Sequence, residues 1–306
     1  MEKETVLVVG GGLGGISAAI SMAAEGYDVK LFEKNKHLGG KLNQAVIDGF
    51  SFDLGPSILT LPQIFENLFN MHHKKMEDYI NIKKIDLQWR SFFEDGVEID
   101  LYSDMNKMRQ ENDILESKNI NNLNQYLEYS ENIYKLVEQG YFAEGLDTMG
   151  EVIKHYGPIK ALKGLDYFST MSDGIKRYLD NKHLQDVINF FIKYVGSSPY
   201  AAPAVLNLLP YVQIESGLWY VPGGMYKIAE GFEKLMKEIG IEINKNSEVV
   251  KIDYSGNNVD AIILEDSSTI KGDIIISNME VIPAYKNLLD EEDIVDKYQK
   301  FEPACS

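Results

Sequence analysis

Apolar positions in the first third of the chain switch between two periods. Thr5–Val9 is an unbroken apolar, β-branched run, the pattern of a parallel strand buried on both faces. Residues 16–24 then take helical spacing, with Ile16, Ala19, Ile20 and Ala23 on one face, and 29–32 return to a strand pattern. A helix is predicted over 61–79, with Ile64, Leu68 and Met71 on one stripe. Residues 88–101 alternate around Glu94-Asp95-Gly96 and predict a hairpin. From 103 to 210 the spacing is mostly helical and rich in Tyr, Leu and Ile. A turn at Val221-Pro222-Gly223-Gly224-Met225 then opens a helix over 226–239. Short strands follow at 242–243, 248–252, 259–264 and 273–276. Strand, helix and strand in succession, with a helical block between two such regions, predict an α/β fold with an insert.

Between the first strand and helix stand Gly10, Gly12 and Gly15, spaced G-x-G-x-x-G. Gly10 suits a tight turn, Gly12 a close approach of backbone to a pyrophosphate, and Gly15 the packing of helix on strand. The helix N-terminus adds unpaired N–H groups and a partial positive charge. A Walker A loop would need Lys after Gly15, where Ile16 stands. Glu33 ends the second strand at the distance where a carboxylate accepts ribose hydroxyls and repels a 2′-phosphate, which favours FAD or NAD over NADP. A second glycine pair, Gly39-Gly40, precedes Lys41, a cation suited to phosphate or ribityl oxygens, and Gly55-Pro56 forms a rigid turn. Asp53 reads as a turn cap. Gly223-Gly224 reads equally as a helix entry or a second cofactor approach.

The run from G-x-G-x-x-G through Glu33 and Gly39-Gly40-Lys41 to Phe52-Asp53-Leu54-Gly55-Pro56 resembles the FAD-binding opening of the amine oxidase and phytoene desaturase superfamily. Within it, the chain resembles bacterial carotenoid desaturases and oxygenases in FDLGPSILT-x-P (52–62), QWRSFF-x-x-G (88–96), YF-x-x-GLDT (141–148), FIKYVGSS (191–198), GLWYVPGG (217–224) and ISNMEVIP (276–283). The resemblance implies a Rossmann-like FAD-binding domain over 1–102 and 217–306, and a mainly helical substrate domain inserted at 103–216. It implies an FAD cofactor held by Gly10, Gly12, Leu13, Gly14, Gly15, Glu33, Lys34, Gly39, Gly40, Lys41, Gly55 and Pro56, with Val250 on the adenine side through backbone contacts. The implied reaction is oxidation of a terminal methyl of a C30 carotenoid toward the aldehyde. Desaturation of the polyene is the alternative, and a flavin amine oxidase or an isoprenoid-binding protein without flavin are more distant ones. The family's closing glycine-rich segment has no counterpart here, and Phe301–Ser306 resembles the middle of the family pattern, so a piece of a longer chain is expected.

Composition narrows partners. The 306 residues are 44% apolar and 25% charged with a net charge of −17, which disfavours nucleic acid. The single cysteine, Cys305, leaves no intramolecular disulfide and fits a reducing cytoplasm. No signal peptide or spanning segment is read. No metal site is expected, since His72-His73 point to different sides of a helix and His37, His155 and His183 lack ligand spacing. No G-x-S-x-G elbow occurs, and flavin chemistry needs no protein base. The aromatic and aliphatic residues of 126–191 read as helix core or as the lining of a polyene tunnel. Residues 152–168 mix Lys154, Lys160 and Lys163 with apolar positions, an expected peripheral contact with the membrane where a carotenoid resides.

Overall fold

A computed structural model of the chain describes residues 3–298 except 147 and 257, and only the backbone at 149, 159, 162 and 163. Cys305 and Phe301–Ser306 lie outside the described residues. The chain divides into two compact units, one comprising the chain up to Lys83 and from Trp219 on, the other Lys84–Leu218. The division falls earlier than the expected boundary after 102. The reason is that Ile99 and Leu101 of the hairpin bury themselves in the core of the second unit.

The first unit is organised by a four-stranded parallel sheet. Its second and third strands are β1 (Thr5–Val9) and β2 (Asp28–Glu33), joined by helix α1 (Leu13–Ala24). Ile274–Ser277 pairs with β1 from Val6↔Ile274 to Val9↔Ser277, and Glu242–Lys245 pairs with β2 from Lys30↔Glu242 to Glu33↔Lys245. Alternation along β1 splits its side chains between two cores. Val6 and Val8 pack with Ile16 and Ile20 of α1 and with Ala229, Phe232 and Leu235 of the helix Lys227–Glu238. Leu7 and Val9 face the other way, among Phe32, Val249, Ile252 and Ile262. An antiparallel sheet of Val249–Ser255, Asn258–Leu264 and Thr269–Lys271 supplies most of that second layer. This is the α/β, Rossmann-like arrangement the first strand, glycine turn and helix predict.

The helix expected over 61–79 is shorter, Pro62–Asn70. Lys74 N–H donates to the Phe69 carbonyl and His73 N–H to that of Asn70, a Schellman-type closure with His73 at φ +57°. The buried face is Leu68 and Phe69, whereas Ile64 and Met71 of the expected stripe are exposed. Phe69 stacks on Phe232 with ring centroids 5.2 Å apart.

In the second unit the expected hairpin pairs Leu87–Phe92 with Glu98–Tyr102. The long helix Ser117–Val137 buries Leu123, Tyr126, Leu127 and Ile133, one helical stripe. Tyr126 Oη donates to Asn207 Oδ1 at 2.8 Å, and Ser130 Oγ donates to the Asn207 carbonyl at 2.6 Å. Ile175, Leu184, Ile188 and Phe191 join this core, so these apolar stripes are helix core. The 152–168 stretch forms two short helices, Met149–Tyr156 and Pro158–Gly164, separated by Gly157 at φ +75°. Ile153, Tyr156 and Leu165 pack inward while Lys154 and Lys160 are exposed. The Lys163 side chain lies outside the described residues.

Candidate functional site

A cleft of about 500 Å³ opens at the carboxyl ends of the parallel strands, the position where open α/β sheets bind ligands. Gly10, Gly12, Leu13, Glu33, Lys34, Gly39, Gly40, Lys41 and Pro56 line it, so most of the sequence-predicted residues converge on one surface. Backbone bonds hold them there. Gly10 N–H donates to the Phe32 carbonyl at 2.8 Å and Gly39 N–H to that of Gly11 at 2.8 Å, stitching the two glycine segments together. A Cβ on Gly40 would stand 3.0 Å from Gly12 Cα, and one on Gly15 would stand 2.0 Å from the Gly10 carbonyl oxygen. Gly15 therefore serves the packing of helix on strand behind the cleft. Helix α1 begins with no side-chain cap, which leaves its first-turn N–H groups without intrahelical partners beside that cradle.

Glu33 is buried at 6% exposure, and its carboxylate already accepts protein donors. Oε2 takes Gly11 N–H at 2.7 Å, and Oε1 takes Asn35 N–H at 2.8 Å and Asn35 Nδ2 at 2.6 Å. Of roughly four acceptor positions on a carboxylate, three are used internally. The residue expected to hold a ribose thus also locks the glycine turn to the end of β2. Lys41 is highly exposed and pairs with Glu280 at 3.1 Å.

Gly14, Gly15, Gly55 and Val250 stand outside the lining. Gly14 is held glycine by Asn278, whose Oδ1 would lie 2.4 Å from an added Cβ. Gly55 is required by a carbonyl, because a Cβ there would fall 1.9 Å from the Lys41 oxygen. Val250 is exposed and lies directly after Ser247, Glu248 and Val249, which line the cleft. Asp53 accepts Met225 N–H at 2.9 Å and Tyr226 N–H at 3.4 Å, so it caps the entry of the helix Lys227–Glu238 across 172 residues of sequence. Gly223 and Gly224, at φ +90° and +96°, form that entry turn.

Sequence reasoning missed Asn35, Asn278 and Glu280. Asn278 N–H donates to the Val9 carbonyl at 2.8 Å, and its side chain lies against Gly10, Gly12, Gly14 and Gly15. Only the pairing of β1 with a strand from the far end of the chain brings it there. Among the described residues, no cluster of three or more His, Cys, Asp or Glu could hold a metal. No helix of these residues is long and apolar enough to cross a membrane. His72 is anchored to the Ile20 carbonyl at 2.9 Å, and His183 pairs with Asp95 at 2.8 Å.

Comparison with known proteins agrees with this geometry. Residues 8–74 match the family model of an NAD(P)-binding Rossmann-like domain. The chain is 49% identical over 308 residues to a 4,4′-diaponeurosporene oxygenase of Staphylococcus haemolyticus, covering 100% of this chain and 61% of that protein. It is 48% identical to a 4,4′-diapolycopene oxygenase of Methylomonas, again over 100% of this chain and 62% of the relative. The chain thus spans about 61% of the length of the curated relatives it matches. Among solved structures, an oxidoreductase from Methanosarcina mazei superposes with a TM-score of 0.66 at 18% identity, over 97% of this chain and 64% of that one, a likeness of fold.

Proposed function

We propose, on the premise that this chain is homologous along its whole length to 4,4′-diaponeurosporene and 4,4′-diapolycopene oxygenases, that the whole protein is a flavin-dependent carotenoid oxygenase. It oxidises a terminal methyl of a C30 carotenoid toward the aldehyde. The observation that carries this reading is identity near one half that runs through both units, so the likeness extends well beyond the nucleotide fold.

The cleft has the features a dinucleotide needs. Its walls include Gly10 at φ +97°, Gly39, where a Cβ would stand 2.3 Å from the Leu42 carbonyl oxygen, and Gly12 and Gly40 packed backbone to backbone, and an uncapped helix N-terminus faces a cradle with room for phosphate. In this reading Gly12, Leu13 and Gly40 hold the pyrophosphate of FAD and Glu33 its ribose. Lys41, now paired with Glu280, would be the cation that holds a phosphate oxygen. Bound there, the flavin would supply the redox chemistry for the two successive two-electron oxidations between methyl and aldehyde, with the oxygen atom taken from dioxygen or water, and the protein would supply orientation.

The substrate resides in a bilayer, and the protein meets it peripherally from the cytoplasm. Exposed Tyr141, Phe142 and Phe168 occur in the same stretch of the helical unit as Lys154 and Lys160. Liposome flotation tests this contact with Lys154, Lys160 and Lys163 changed to Glu, and unchanged binding rejects it.

The deciding experiment is expression of the full-length protein in cells that accumulate diaponeurosporene, followed by mass analysis of the pigments. An oxygenated end group supports the reading. Extra double bonds without oxygen replace it with a desaturase, and a purified protein lacking the flavin band near ~450 nm removes the flavin.

A further inference from the structure

Two of the motifs noted above, QWRSFF and FIKYVGSS, meet in the second unit around one lysine. Lys193 Nζ stands 3.2 Å from the ring centroid of Trp89, 4.6 Å from Phe190 and 5.0 Å from Tyr194. Trp89 and Phe190 are themselves in contact, with centroids 5.4 Å apart. Among the described residues no carboxylate acts on this ammonium, whose one resolved influence is burial. Partial burial among rings, with no anion to offset it, pulls its pKa down to about 8.

The cage is braced from behind. Tyr194 Oη donates to Gln213 Oε1, Gln213 Nε2 donates to Gln88 Oε1 at 3.5 Å, and Gln88 donates on to Ser103 Oγ and the Ile214 carbonyl. Gln88 and Gln213 are 5% and 1% exposed. A buried amide relay thus fixes the neighbours of Trp89 and Lys193 in place, the support that a pre-organised site needs. Phe190 and Tyr194 keep a large part of their rings exposed, which leaves an open apolar face around a donor with protons to spare.

We infer that Lys193, Trp89, Phe190 and Tyr194 form a subsite for the carbonyl end of a conjugated apolar molecule. The rings take the conjugated chain by stacking, and the ammonium donates to the carbonyl oxygen. That its natural occupant is the oxidised end of a carotenoid rests on the functional reading above. The chemical selectivity does not, and it is testable without turnover.

The test uses this chain with Trp219→Phe, which leaves Trp89 as the reporting tryptophan, titrated with all-trans-retinal and with the hydrocarbon diphenylhexatriene. Both probes should quench Trp89. Lys193→Met should weaken retinal about tenfold, equivalent to ~1.4 kcal/mol, and change diphenylhexatriene less than about twofold, while Lys193→Arg keeps retinal binding. Equal losses for both probes, no loss, or no quenching overturns the inference. Should the Met variant fail to fold, the unsubstituted chain is treated with retinal and cyanoborohydride and mapped by mass spectrometry. Labelling concentrated on Lys193 supports the site, and labelling spread over the surface lysines overturns it.

Discussion

Glu33→Gln separates two roles of one carboxylate. If Glu33 served only a nucleotide, the change would leave the ligand-free chain as stable as before. The structure implies otherwise, because the carboxylate accepts Gly11 N–H through one oxygen and two Asn35 donors through the other. A glutamine that keeps its carbonyl on Asn35 turns its NH₂ toward Gly11 N–H, two donors facing at the 2.7 Å spacing now held by an acceptor. One charge-assisted bond, about 1.5–3 kcal/mol, is lost, and a buried donor is left unpaired. The reverse rotamer serves Gly11 and abandons Asn35 twice. The expected loss is therefore about 2–4 kcal/mol, concentrated at the glycine turn. Amide hydrogen exchange of the peptide spanning Gly10–Gly15 reads this directly. Protection of Gly11 should fall between about 30-fold and 1,000-fold, at a rate of ~1.4 kcal/mol per tenfold. Exchange unchanged within about threefold in the ligand-free variant would refute the reasoning and return Glu33 to a ligand-only role.

Gly15→Ala should destabilise the first unit by at least about 1–3 kcal/mol in a denaturant titration, because its Cβ meets a backbone oxygen at 2.0 Å; an unchanged midpoint would mean the turn can yield. Asp53→Ala removes the cap from Met225 and Tyr226 and should cost about 0.5–2 kcal/mol, with faster exchange at those two amides. Arg90 grips Asp100 with two bonds of 2.6 Å and holds that carboxyl below its ordinary range near 3.8. A depressed acid stabilises above its unfolded pKa and loses that contribution as pH falls through the folded value. Arg90→Met should therefore lower the melting temperature at pH 7, and the gap should close as the pH drops below about 3.8; a gap independent of pH would sink this assignment.

The opening strand, glycine turn and helix are legible in sequence because each needs only local spacing and the conformational range of glycine. The helix over 61–79 was over-long for an equally local reason. Met71 and Met76 continue an apolar spacing, and a closure at His73 carries no glycine to mark it. Val250, expected on the adenine side through its backbone, stands next to Val249, the last residue of the 247–249 stretch that lines the cleft. Asn278 and Glu280 stand in the ISNMEVIP motif, yet no local spacing gives them a place at the cleft, because only the pairing of β1 with Ile274–Ser277 brings them to the glycines. The cage around Lys193 joins residues 89 and 190–194, and no window of sequence contains both.

The pairing of β1 with Ile274–Ser277 also sets an order of events during synthesis. β1 is made well before this partner, and one of its two edges stays bare until the partner, some 268 positions later, has been made. Lys84–Leu218 has its own core and can condense in the interval, while the glycine turn waits with its hydrogen-bonding edge unprotected. The glycine-lined cleft is thus complete only after residues 274–278 have been made. A nascent chain stalled before residue 274 would carry every glycine of the motif and still have neither the strand nor the asparagine that close around them.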